Sequence, residues 1–134
     1  MKNDNVVLGQ FIGKCCDGDA VNNNGMYLSR ELFDVLMSSE DYKRAIENRY
    51  YIGFLGHPED PNCMDFRNAC VVMTEMHMNG DGEIIGTFDL IDTPVGRVVK
   101  AFIDAGVHFG ISIRGAGDVA PDGTVDPDTF MFRG

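Results

Sequence analysis

Two runs of strand-forming residues joined by a four-residue turn constrain the fold of this chain more than any other feature. The runs cover residues 69–78 and 83–91, and Asn-Gly-Asp-Gly at residues 79–82 joins them. A short loop with two glycines between such runs is typical of a β-hairpin, whose strands are antiparallel. The sequence therefore predicts a mainly antiparallel sheet with this hairpin at its centre.

Three amphipathic helices are predicted around the sheet. Ser29, and then Ser38 or Ser39, provide N-caps for two short helices, while Thr93 followed by proline predicts a third helix over residues 94–105. The order of elements lacks the strict alternation of a doubly wound parallel sheet, so it indicates an α+β fold. Further strands are predicted at residues 6–16, 50–56 and 107–113, with one or two more after the turn at 122–123.

The composition indicates one soluble globular domain over residues 1–134, with 44% hydrophobic residues to form a core. Eleven basic and 21 acidic residues give a net charge of −10, so the surface should repel nucleic acid and anionic membranes. The sequence has no apolar run long enough to span a bilayer, and it begins with polar residues rather than a secretion signal. We therefore expect a protein that is not exported.

The four cysteines match neither a metal-binding nor a redox Cys-x-x-Cys pattern. We expect reduced thiols, with Cys15 or Cys16 and Cys70 as small core residues. No cysteine, Cys63 included, has a sequence context that suggests a lowered pKa, and no two histidines share a metal-ligand spacing. A cysteine or metal hydrolase is therefore disfavoured, and neither a cofactor nor a metal is expected.

Three histidines and one serine are the candidates for chemistry. His57 follows a glycine at the exit of a predicted buried strand and precedes a proline, which gives its side chain a rigid mount. His77, near the end of the hairpin, and His108, after a helix stop, are interpreted as structural. Ser112 lies in a predicted strand, where a serine taken alone is usually a hydrogen-bonded hydroxyl.

Four short motifs occur in order along residues 20–117. Asn-x-Asn-Gly-x-Tyr at 22–27 precedes the first helix, and Gly-His-Pro at 56–58 follows the buried strand. Asp-Thr-Pro-x-Gly at 92–96 follows the hairpin, and Gly-Ile-Ser-Ile-Arg-Gly-x-Gly at 110–117 follows the third helix. Each motif is weak alone. In their order and spacing they resemble the tailed-phage prohead proteases, serine peptidases whose fold is like that of the herpesvirus assemblins.

The resemblance implies a serine endopeptidase of capsid maturation that acts inside the assembling phage prohead, in the host cytoplasm. Its substrates would be scaffold and capsid proteins, with the protease itself as a further candidate substrate and self-association as a candidate interaction. The implied fold is a barrel-like, mainly antiparallel sheet surrounded by helices. Closure of the sheet into a barrel follows from the resemblance alone.

The resemblance also implies catalytic roles. Ser112 matches the nucleophile and His57 the general base, and a serine hydroxyl needs an imidazole within hydrogen-bond reach. The family more usually has Ser-Ser-Arg-Gly where this chain has Ser-Ile-Arg-Gly, which favours Ser112. Arg114 and Gly115 would follow the nucleophile, where backbone N–H groups can face an oxyanion. We expect His57 and Ser112 to approach each other at the ends of neighbouring strands.

The third catalytic residue is not assigned by this comparison. In the family, an acidic residue follows two strands after the serine motif, and by that register it would come just beyond Gly134. The domain would then lack its C-terminal strand or strands, and residues 125–134 would fray or dock on another copy. The candidates within the chain are Glu75, His77, Asp89, Asp126 and Asp128.

A non-catalytic capsid-assembly or scaffold module with the same fold is the alternative hypothesis. Such a module would use its acidic surface to contact other head proteins. Labelling of Ser112 by a serine-directed probe distinguishes the two hypotheses.

Overall fold

The computed structural model describes residues 6–22, 25–56, 66–111, 113 and 115–132, which form an α+β fold. The strands are β1 (Val7–Asp17), β2 (Ala20–Val21), β3 (Tyr27–Leu28), β4 (Ile52–Phe54), β5 (Ala69–Met78), β6 (Glu83–Ile91), β7 (Gly115–Ala116) and β8 (Met131–Phe132). The helices are α1 (Arg30–Ser38), α2 (Glu40–Glu47) and α3 (Pro94–Asp104). No helix in these ranges is long and apolar enough to cross a membrane.

An antiparallel sheet in the order β1-β6-β5-β4 lies at the centre of the described part of the chain. Its two central strands, β5 and β6, have the bounds that the sequence predicts for the hairpin. Asn79 holds the turn between them, because its side-chain oxygen accepts hydrogen bonds from the N–H groups of Asp81 and Glu83, both at 3.0 Å. The predicted central hairpin is confirmed, and local turn chemistry accounts for it.

The sheet stays open within the described residues. β1 and β4 are its edges, and residues 107–111 and 113, predicted to form a strand, have no strand pairing. Side-chain packing holds this segment instead, since Phe109 lies edge-on against Phe102 of α3 with ring centroids 6.5 Å apart. The prediction of a strand and of a barrel-like closure is wrong for these residues, because packing on a helix replaces the ladder hydrogen bonds that a strand needs.

Serine side chains begin the first two helices, as the sequence predicts. Ser29 Oγ accepts a hydrogen bond from the Leu32 N–H at 3.0 Å, and Ser39 Oγ accepts one from the Tyr42 N–H at 3.2 Å. Of the two serines considered for the second helix, Ser39 is therefore the N-cap. Leu32 and Phe33 are fully buried, so α1 contributes to the core against β5.

Thr93 fixes the start of α3 to the end of the sheet. Its hydroxyl accepts a hydrogen bond from the Gly96 N–H at 2.9 Å and donates one to the Ala69 carbonyl at 2.6 Å. Gly96 has no space for a side chain, because a β-carbon there would overlap the carbonyl oxygen of Ile91. The Asp-Thr-Pro-x-Gly motif therefore couples α3 to the end of β6 and the beginning of β5.

Gly96→Ala is expected to lower the free energy of unfolding by about 1–3 kcal/mol, the usual cost of inserting a methyl group into a packed region. The obstructing atom is a backbone oxygen, which cannot rotate away as a side chain can. Urea denaturation followed by circular dichroism measures the change. Gly80→Ala in the hairpin turn is the control, since nothing lies within 4 Å of a β-carbon there. Equal midpoints for the two variants would contradict the prediction.

The last described residues fold back onto the core. β7 and β8 pair with each other, and Val125 is buried. Phe132 packs edge-on against Tyr51 with ring centroids 4.7 Å apart. The expected fraying is therefore wrong for residues 125–132, because Val125 and Phe132 pack within the same chain. Docking on another copy stays a prediction.

Candidate active site

His57, Ser112 and Arg114 lie outside the residues that the structure describes. Three of their neighbours in sequence are described and lie around one cavity of about 850 Å³. Gly56, which immediately precedes His57, lines this cavity, and so do the two neighbours of Ser112, Ile111 and Ile113. The two chain segments predicted to carry the base and the nucleophile therefore reach the same cavity.

Both edge strands of the sheet contribute to the cavity wall. Residues 11–15 of β1 line it on one side, and residues 51–56, which contain β4, line it on another. Val99 and Ile103 of α3 also line it, together with residues 107–111 and with residues of the central strands β5 and β6. The cavity is therefore bordered by the two edges of the open sheet and by the segment that leads to Ser112.

The backbone turns away from the sheet at the residue before His57. β4 pairs with β5, and this pairing is extended by a hydrogen bond from the Leu55 N–H to the Asn68 carbonyl at 2.9 Å. Gly56 then has a φ of 78°, a conformation that glycine adopts readily and other residues rarely adopt. The glycine of the Gly-His-Pro motif is therefore required by the turn that ends the strand.

Gly115, on the other side of Ser112, is held by tight packing. A β-carbon at Gly115 would lie 2.5 Å from Cζ of the Phe130 ring. The residue also pairs with Phe132 in the β7–β8 ladder. Gly115 therefore has a packing role, whatever its backbone contributes to catalysis.

The described lining of the cavity is mainly apolar and contains no aspartate or glutamate, although the chain has 21 acidic residues. Lys14 lines it, and hydrogen bonds to Asp17 and then Glu83 raise the pKa of its ammonium group. Tyr51 lines it as well, and burial raises the pKa of its phenol to about 12. At neutral pH the ammonium group is therefore positively charged and the phenol is neutral, so the described wall carries no negative side chain.

His108 also lines the cavity and is exposed. The sequence interpretation gave this histidine a structural role because it follows a helix stop. The position of His108, four residues before Ser112, is the sequence signal that connects it with the cavity.

The described cysteines are free thiols with raised pKa values. Burial raises the pKa of Cys15 to about 11 and that of Cys16 to about 12, and it also raises the pKa of Cys70. Cys15 and Cys70 are buried, which confirms their predicted place in the core, while Cys63 lies outside the described residues. Because the thiolate is the nucleophilic form, these protonated thiols do not suit nucleophilic catalysis.

Glu75 and His77, two of the third-residue candidates, lie on the face of the hairpin opposite to Phe88. They pair across the hairpin with Thr87 and Ile85, whereas Phe88, which lines the cavity, lies on the opposite face of β6. The two side chains contact each other at 3.5 Å, from His77 Nδ1 to Glu75 Oε1, and are 52% and 64% exposed. Neither lines the cavity.

Asp89, the third candidate, is a buried partner in an ion pair. It lies on the same face as Glu75 and His77, and its side chain is 2% exposed. Arg49 Nη2 donates a hydrogen bond to Asp89 Oδ2 at 2.8 Å, and Gln10 Nε2 donates one to Oδ1 at 3.2 Å. The Asp89 carboxylate therefore joins the chain after α2 to the sheet.

The two remaining candidates lie in a turn near the last strand. Asp126 Oδ1 accepts a hydrogen bond from the Asp128 N–H at 2.9 Å. Neither residue lines the cavity. Among the residues that the structure describes, no group of three histidine, cysteine or acidic side chains is placed to hold a metal ion.

Comparisons with known proteins identify the family. A solved structure, the capsid assembly protease gp21 of bacteriophage T4, is similar with a TM-score of 0.75 over 92% of this chain and 76% of that chain, at 22% sequence identity. This similarity concerns the fold, and a comparison with curated proteins finds no match. The sequence profile of the prohead core protein serine protease family matches residues 4–126. Because that match covers most of the chain, this protein belongs to the prohead core protein serine protease family.

Proposed function

We propose that this protease cleaves scaffold and capsid proteins during phage head maturation, with Ser112 as the nucleophile and His57 as the general base. One observation carries the assignment: the residues next to both side chains line one cavity. Family membership supplies the reaction class. The proposed place of action is the assembling prohead in the host cytoplasm.

Peptide hydrolysis at this site follows the two-step course of serine proteases. Ser112 Oγ attacks the carbonyl carbon of the scissile bond while His57 takes the hydroxyl proton, and a tetrahedral oxyanion forms. Its collapse breaks the C–N bond, and His57 gives the proton to the departing amine. Water then attacks the acyl-enzyme with His57 as base, which releases the new carboxyl terminus and restores the Ser112 hydroxyl.

The cavity wall is compatible with the negative charge that develops on the oxyanion. Apolar surroundings exclude water and strengthen electrostatic interactions with the oxyanion. The described lining also contains no carboxylate that would repel it. The backbone N–H groups of Arg114 and Gly115, which follow Ser112, are the proposed donors to the oxyanion.

The proposed orienting residue for His57 is not Glu75, His77 or Asp89. The first two are exposed and do not line the cavity, and Asp89 is engaged by Arg49. In line with the family resemblance, we place the third catalytic residue beyond Gly134.

A fluorophosphonate probe is expected to label the full-length protein at Ser112, as located by mass spectrometry of its peptides. Ser112→Ala should not be labelled, because it lacks the hydroxyl that attacks phosphorus. Ser38→Ala is the matched control, since this serine is exposed at the end of α1 and away from the cavity, and it should be labelled like the wild type. If the folded wild-type protein is not labelled, the non-catalytic assembly module becomes the favoured function.

A further inference from the structure

We infer that a contact between Gly13 of β1 and Ile111 positions the nucleophile, so that both are positioning residues for the reaction. This inference rests on the proposed role of Ser112. A β-carbon at Gly13 would overlap Cδ1 of Ile111, whereas Cγ1 of Ile111 would lie at 3.7 Å. The end of the isoleucine side chain therefore occupies the space that any other residue at position 13 would fill.

The strands beneath Ile111 are tightly packed. Gly13 pairs with Gly86 of β6, so neither strand carries a side chain at this register. Next to this pair, Phe11 and Phe88 stack with ring centroids 5.1 Å apart. Gly86 is itself tightly packed, because a β-carbon there would lie 2.7 Å from Cζ of Phe88. The depression that receives Ile111 is therefore fixed by strand pairing and by aromatic packing.

This contact affects Ser112 because Ile111 is bonded directly to it. Residues 107–111 and 113 form no strand, so hydrogen bonds of a sheet do not fix the approach to Ser112. On the far side of Ser112, the chain is fixed again at Gly115 by the Phe130 ring and by pairing with β8. The Ile111 contact is therefore the anchor nearest to the nucleophile on its N-terminal side, because the contact of Phe109 with Phe102 lies two residues further away.

Gly13→Ala is expected to slow fluorophosphonate labelling of Ser112, and peptide cleavage through kcat, by up to about 100-fold, because the new methyl group displaces the end of Ile111 and a shift of about 1 Å in a reacting group costs up to that factor. The φ of Gly13 lies outside the left-handed region, so alanine fits the backbone. KM should change little, because the substitution moves the nucleophile without adding a group to the substrate site.

Ile111→Val should restore the rate in the Gly13→Ala background to within about threefold of wild type. Valine lacks Cδ1, the atom that the new methyl group overlaps, and the next carbon lies at an ordinary contact distance. Gly9→Ala is the matched control on the same strand, since nothing lies within 4 Å of a β-carbon there, and its rate should equal that of wild type. Urea denaturation of each variant separates a change in rate from a loss of folded protein.

Ile111→Ala, measured alone, tests the anchor without adding bulk to the sheet. It should slow labelling about 10-fold because the segment loses its contact. A wild-type rate in folded Ile111→Ala would overturn the inference, as would a loss in Gly13→Ala that Ile111→Val does not reverse. If the probe labels another serine in the wild-type protein, the proposed function fails. If Ser112 is labelled at the wild-type rate in all of these variants, only the positioning role is refuted.

Discussion

Replacing Ser112 or His57 with alanine is expected to lower kcat for peptide-bond cleavage by about 10⁴- to 10⁶-fold. Loss of the serine removes the atom that forms the acyl-enzyme, and loss of the imidazole leaves a hydroxyl that is a poor nucleophile at neutral pH. The two residues act in one step, so their effects should not add. The double variant should be no slower than the slower single variant.

The measurement is the turnover of a purified scaffold or capsid protein, followed by the appearance of its fragments. His77→Ala is the matched control, because its imidazole is exposed on β5 and does not line the cavity. This control should keep the wild-type rate. Multiplicative losses of kcat in the double variant would show that Ser112 and His57 act independently. A loss in His77→Ala equal to that in His57→Ala would indicate that His77 takes part in catalysis.

Local sequence patterns account for the elements that were predicted with the right bounds. The hairpin turn depends on Asn79, which bonds the backbone two and four residues further along, and the helix starts depend on Ser29 and Thr93, which bond residues three positions later. Such contacts can be predicted from the sequence because donor and acceptor lie close together along the chain. The strand predicted over residues 107–113 is wrong for 107–111 and 113, because a run of apolar residues packs equally well on a helix and tertiary contacts decide between the two.

The candidate site likewise combines features that sequence comparison predicts with features that depend on tertiary contacts. The segments around residues 56 and 111, to which the family resemblance assigns the base and the nucleophile, lie far apart in sequence and line one cavity. The roles of His57 and Ser112 stay predictions. No local pattern indicates that Asp89 is buried against Arg49, which lies 40 positions away and beyond the end of α2. An aspartate in an apolar strand has the same sequence context whether it serves catalysis or an ion pair. Burial and partner are properties of the folded chain.

Arg49→Met is expected to lower the free energy of unfolding by about 3–5 kcal/mol, because it removes the cation paired with a carboxylate that is only 2% exposed. Arg44→Met is the matched control. Arg44 pairs with Asp41 across an exposed helix surface, where both side chains are more than half exposed. Such a pair contributes about 0–1 kcal/mol, so the control should unfold at nearly the wild-type urea concentration.

Replacing both partners tests whether the buried carboxylate that has lost Arg49 is the cause. Asp89→Leu combined with Arg49→Met should recover most of the stability lost in Arg49→Met, since a buried ion pair can often be exchanged for apolar residues of similar volume at little cost. Cleavage per folded molecule should stay near wild type in the double variant, because neither side chain lines the cavity. The opposite pattern, a loss of about 10⁴-fold in kcat for Asp89→Asn with unchanged stability, would identify Asp89 as the residue that orients His57.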